Sequence, residues 1–199
     1  SLFYYTKNLR LSNKLKNHEY IIDNSLFIAE LSTRMNKMDS AFIYNIISEE
    51  YLMENGDEFQ KGLSAHYRGK YFFKIEEYDK ATKSFLESID YWKKIENTEN
   101  ELWSYIWLAR SQLELGHNKQ FDKYLSELVR MIEIEKIKPA DEDITINSWN
   151  LYNIYQNIGE QKKSVTYLKF GYDHIQEVVS KIIDEEKRSD YFNKNSLNQ

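Results

Sequence analysis

His174 and Glu177 stand three residues apart, a spacing that sets two ligating side chains on one face of a helix, as in carboxylate-rich metal bundles. A metal there needs further carboxylates turned into the same core, and the surrounding pattern supplies none. His18, His66 and His117 are scattered over other segments, so the four histidines read as surface or capping residues. Asp141, Asp143 and Thr145 match the first alternating ligand positions of a calcium loop, but the turn glycine and the closing glutamate are missing. Acidic residues ahead of a helix are explained more simply by the helix dipole. The chain has no Gly-rich phosphate loop, no Gly-x-Ser-x-Gly and no His-Glu-x-x-His. No serine is paired with a histidine in a way that suggests an activated nucleophile. Cysteine is absent, which removes disulfides, thiolate metal sites and thiol nucleophiles together. The expectation is a non-catalytic chain with no cofactor and no metal.

The elements that would position any site are helices. Of 199 residues, 41% are hydrophobic and 15% aromatic, yet only six are glycine and one is proline. A sheet protein needs many more turn residues than that. Net charge is −5, from 27 Lys+Arg against 32 Asp+Glu, and no basic run offsets it, so nucleic acid is not an expected partner. No apolar stretch is long enough to span a membrane. The start, Ser1-Leu2-Phe3-Tyr4-Tyr5, has neither the order of a secretory signal nor an initiator Met. We therefore expect a cytoplasmic protein, either processed or a piece of a longer one.

Apolar residues at helical spacing, with short breaks, predict nine helices near 2–15, 18–36, 40–54, 58–75, 78–95, 99–115, 118–134, 143–158 and 161–184. Asp39 is expected to cap the third, and Asn55-Gly56 to end it with a left-handed glycine. Asp57 with Gln60 forms a capping-box pattern, and Thr98 with Glu101 repeats it. Gly116 and Gly159 sit in short joints, and Pro139 reads as a loop leading into the eighth helix.

Paired helices with short connections call for a search for internal repeats. Tyr78-Asp79-Lys80-Ala81 followed by Phe85 resembles the second helix of a tetratricopeptide repeat, with Gly69 as the small residue at the helix crossing. Leu108-Ala109 and Leu115-Gly116 recur forty residues on, and Ile158-Gly159 forms the same joint again, with Leu168 and Gly171 after it. The resemblance covers about three repeats, from Gly62 to about Asp184. Arg68, Gln112 and Phe121 depart from the residues that repeat prefers. The implied fold is all-α: an N-terminal three-helix bundle over 1–56, a right-handed tetratricopeptide superhelix over 57–192, and a disordered tail over 193–199.

The first 56 residues do not share the repeat's phase in this reading. A bundle followed by repeats resembles the bacterial response-regulator phosphatases and the wider group of cytoplasmic receptors for signalling peptides. Asp39-Ser40-Ala41-Phe42-Ile43-Tyr44 and Tyr67-Arg68-Gly69-Lys70-Tyr71-Phe72-Phe73 carry that likeness. The phosphatases direct water with a polar amide in the bundle. The comparable segment here is Asn36-Lys37-Met38-Asp39, which has no Gln. Tyr172-Asp173, Ile182-Ile183-Asp184-Glu185-Glu186 and Tyr191-Phe192 also resemble the closing repeat of bacterial sensor proteins. The apolar set Tyr172, Ile175, Val178, Val179 and Ile182 asks for a further helix near 185–194 or a dimer contact.

The resemblance implies a ligand groove lined by the first helix of each pair. It places His66, Lys70 and Lys74 there in the first repeat, Ile106, Trp107, Arg110 and Glu114 in the second, and Trp149, Asn150, Asn153 and Asn157 in the third. Asn can pair with a peptide amide, Lys70 and Arg110 can hold a carboxylate, and Trp107 and Trp149 can cover apolar side chains. The expected partner is an extended peptide or protein segment, and a homodimer is a second expectation. A response-regulator phosphatase-like activity and an oligomerising scaffold are the alternatives.

Overall fold

The computed structural model describes residues 2–116, 118–136 and 144–182. All regular structure among them is helical: α1 (Leu2–Leu15), α2 (His18–Arg34), α3 (Met38–Asn55), α4 (Glu58–Lys74), α5 (Tyr78–Lys94), α6 (Thr98–Leu115), α7 (Asn118–Val129, running into a π-helical turn at Arg130–Ile134), α8 (Ile144–Asn157) and α9 (Gln161–Ser180). The chain forms two compact units, Ser1–Ile137 and Lys138–Gln199. The expectations placed on His117, Pro139, Asp141, Asp143 and residues 183–199 fall outside the described residues.

In the first unit the helices pack as consecutive antiparallel pairs, α2 with α3, α4 with α5 and α6 with α7, while α1 packs on α2. Helix α4 also touches α2 and α6, so the first helices of the pairs form one layer. Helices α3 and α5 each pack on the helix before and the helix after. This is an all-α helical-repeat fold.

Its period is forty residues. Asn17, Asp57 and Asn97 each cap a first helix, with a side-chain oxygen accepting from the backbone N–H three residues on. Asn36, Glu76 and Gly116 each close a first helix in the left-handed region, at φ 56°, 64° and 67°. The phase therefore extends upstream into α2–α3, the stretch expected to lie outside it.

Two caps are corrected. Helix α3 begins one residue before Asp39, which lies in its first turn, and Thr98 is likewise inside α6, where Asn97 holds the cap. Gly56 is not left-handed: its backbone is extended, at φ −83°. A Cβ there would stand 2.3 Å from Leu52 Cδ2, so the chain passes close over that side chain.

Helix α5 shows how a sequence stripe becomes core. Ala81, Ser84, Phe85, Ser88, Ile89 and Trp92 are buried at the helical period, while its lysines face water. Burying a ring such as Phe85 stabilises the fold by about 2–3 kcal/mol. Helices α4 and α5 approach closely because Gly69 has no side chain, and a Cβ there would lie 2.6 Å from Phe85 Cε1. Arg68 departs from the repeat pattern for a reason visible in the packing: from α4 its guanidinium reaches Glu49 on α3 and Ser84 and Glu87 on α5. In the second unit α8 and α9 pack as one pair around Leu151, Ile154 and Tyr155.

Candidate functional site

The forty-residue register aligns the polar side chains of α2, α4 and α6 in rows. One row holds Glu30, Lys70 and Arg110; the next, one turn on, holds Arg34, Lys74 and Glu114. Lys70 Nζ donates to Glu30 Oε1, joining adjacent first helices, and both side chains are buried, at 3% and 6% exposure. Arg34 Nε donates to the same oxygen at 2.7 Å. Lys70 also stands 5.4 Å from the ring centroids of both Trp103 and Trp107, where a desolvated cation is attracted to the ring faces. At the exposed edge Arg110 pairs with Glu114 at 2.5 Å and covers the Phe73 ring. Lys74 is exposed and makes no ion pair among the described residues.

His66 lies below this ladder, stacked on Trp103 at 3.6 Å and shielded from solvent. Its tautomer follows from counting protons. Ser88 Oγ donates to the Gly62 carbonyl at 2.8 Å, so its 3.1 Å contact with Ser104 must be a bond donated by Ser104. Ser104 Oγ also accepts from Trp92 Nε1, at 3.1 Å. With its single proton used, Ser104 can only accept from His66 Nδ1 at 2.8 Å, which leaves His66 Nε2 unprotonated. Four buried atoms of this region have no protein partner: His66 Nε2, Glu30 Oε2, Trp103 Nε1 and Trp107 Nε1. Two acceptors and two donors left open in one layer are unusual in a packed interior.

Burial, and then the charges of Lys70 and Arg34, push the His66 imidazole well below its ordinary value of 6.5. The unfolded chain therefore binds a proton that the folded one refuses, so stability falls as pH drops below 6.5 and keeps falling toward the folded-state value. Unfolding free energies from urea titrations between pH 7 and 5 are expected to fall less steeply for His66→Gln, by up to about 1.4 kcal/mol per pH unit. Parallel pH profiles for the two proteins would show that this ring does not resist protonation.

The structure brings together the candidates of the first two repeats: His66, Lys70, Lys74, Trp107, Arg110 and Glu114 line adjoining helices of one unit. It makes His66, Lys70 and Trp107 interior residues, which leaves Lys74, Arg110 and Glu114 within reach of a ligand from solvent. The reading missed Glu30, whose partner Lys70 lies forty residues on; the repeated cap at Asn17 and Asp57 was the available signal.

The remaining candidates belong to the second unit. Trp149 is 47% exposed and stacks on Tyr152 at 5.3 Å. Asn153 donates to its own helix, to the Trp149 carbonyl at 2.7 Å, and Asn157 is exposed. Asn150 is buried with its Nδ2 unpartnered. Glu177 accepts from Lys181 at 2.7 Å, a bond that holds its carboxyl below the ordinary range. Asn36, the residue compared with a catalytic amide, is the left-handed closer of α2, a position that favours Asn on conformational grounds alone. Among the described residues no helix is long and apolar enough to cross a membrane. No protein-family model matches the chain, and no curated protein matches it.

Proposed function

We propose that the chain is a non-catalytic, tetratricopeptide-type recognition module of a bacterial cytoplasmic regulatory protein, and that it takes an extended peptide or protein segment bearing carboxylates along the α2–α4–α6 layer. One observation carries the reading. The two charged rows hold four cations, Arg34, Lys70, Lys74 and Arg110, against two carboxylates, Glu30 and Glu114, on a chain whose net charge is −5. A local positive surplus on an acidic protein selects an acidic guest.

Lys70 and Glu30 set the layer's spacing from inside, while Lys74 and Arg110 supply the reachable cations. Arg110 already faces Glu114, so a ligand carboxylate would exchange one partner for another; Lys74 offers its charge outright. The bacterial, cytoplasmic and regulatory parts of the proposal rest on the sequence resemblance.

A native mass spectrum of the chain as purified from cells is expected to retain an adduct of peptide size, and Lys74→Ala/Arg110→Ala is expected to lose it with helicity unchanged. An adduct held equally by both proteins would place the ligand elsewhere.

A further inference from the structure

Helices α1 and α3 both pack on α2, and one apolar cluster joins them: Leu9, Ile21 and Ile28 are buried, with Leu2 and Tyr5 of α1 and Tyr44 and Tyr51 of α3 packed against them. Their outward faces therefore lie side by side. Both faces are apolar where a solvated helix would be polar. Phe3, Leu11 and Leu15 are exposed on α1, with Phe3 at 70%; Ile43, Ile46 and Met53 are exposed on α3, with Met53 at 87%.

The charges around these residues divide by sign. Helix α1 carries Lys7, Arg10 and Lys14 and no acidic residue, while α3 carries Asp39, Glu49, Glu50 and Glu54 and no basic one. Two complementary apolar faces on the same side of one molecule cannot cover each other, since both point outward. They can do so across two molecules. A foreign partner would need to present an acidic and a basic apolar face next to each other, and this chain already has that pair.

We propose that this face binds a second copy of the chain about a two-fold axis that lies in the face along the helices, α1 of each protomer lying on α3 of its partner. Because α2 reverses the chain between them, α1 and α3 run in the same direction, and that axis sets α1 of one protomer on α3 of the other with their directions alike. The basic, apolar face of α1 then lies on the acidic, apolar face of the partner's α3, cation against carboxylate. The contact is isologous, with each residue pair occurring twice. It lies on helices that contribute nothing to the ladder except through α2, so dimerisation and ligand capture are separable.

Sedimentation velocity over a wide concentration range tests the proposal. The wild-type chain is expected to pass from monomer to dimer, with a midpoint that rises with salt. Lys7→Glu/Lys14→Glu makes both faces acidic, and Glu50→Lys/Glu54→Lys makes both basic. Each variant alone is expected to dimerise roughly a hundredfold more weakly, because like charges then face each other. Mixed together, the two variants should form a heterodimer, and one chain carrying all four changes should dimerise again. All substituted side chains are exposed, so circular dichroism should show unchanged helicity. A wild-type monomer at every concentration overturns the proposal and leaves the faces to another protein. A dimer indifferent to the reversals overturns it as well, by putting the interface elsewhere.

Discussion

Glu30→Ala is expected to destabilise the fold by about 3–5 kcal/mol, the range for breaking a buried ion pair from one side. The carboxylate serves two cations, the buried Lys70 and the partly exposed Arg34. Arg34 is partly exposed, while the Lys70 ammonium is enclosed by α2, α4 and the aromatic residues of α6. The ring faces of Trp103 and Trp107 offset only part of its desolvation. The pair itself need not add net stability, because bringing both charges indoors costs about what their attraction returns. Glu30→Met/Lys70→Met is therefore expected to recover most of the lost stability. Urea unfolding of the two proteins, read at constant m-value, separates these cases. A single variant within about 1 kcal/mol of wild type, the scale of an exposed pair, would show that the ladder is solvated.

Trp92→Ala should be as severe, at about 3–5 kcal/mol, for a reason that involves no charge. Trp92 is fully buried at the end of α5. Its six-membered ring fills the space that Gly62 leaves open on α4, where a Cβ would fall 2.8 Å from Cη2. Phe59 meets the ring edge at 5.5 Å, and Nε1 donates to Ser104 on α6. One side chain thus joins three helices of two successive pairs, and alanine leaves a cavity lined by groups that cannot all close on it. Trp92→Phe keeps most of the packing and loses the indole N–H, so about 1–2 kcal/mol is expected. Thermal unfolding should rank the three proteins wild type, Phe, Ala. Equal melting temperatures for the Phe and Ala variants would mean that the hydrogen bond, and not the ring's volume, holds the joint.

Much of this architecture was legible before any coordinates, and the reason is local. Each helix carries its own 3.6-residue stripe, and each joint is short, so the expected helices match the observed ones to within about two residues, except the last, which ends at Ser180 and not near 184. Caps were less legible. Asp39 and Thr98 are good capping residues, but the chain turns one or two residues earlier, at Lys37 and Asn97. Such offsets depend on how the previous helix docks, which no local pattern reports. Gly56 looked like a left-handed closer and is instead a point of close approach.

The site was half legible. The register that grouped Lys70 with Arg110 puts them on α4 and α6, touching helices of one layer. Their burial was not visible, because an isolated Lys or His reads as a surface residue until its partner is known. That partner, Glu30, lay in the stretch set apart from the repeats. The forty-residue recurrence of Asn17, Asp57 and Asn97 was the signal that would have joined them.

The most direct test of the central claim is fluorescence anisotropy with a labelled pool of degenerate peptides. One version of the pool ends in an acidic triplet with a free C-terminus. The other has the same backbone with amides in place of every carboxylate. The wild-type chain is expected to bind the acidic pool at least about tenfold more tightly, a difference of about 1.4 kcal/mol. Lys74→Ala/Arg110→Ala is expected to bind the two pools alike. Equal affinity of the wild-type chain for both pools, or a preference that survives the double substitution, would contradict the α2–α4–α6 layer as an acidic-segment receptor.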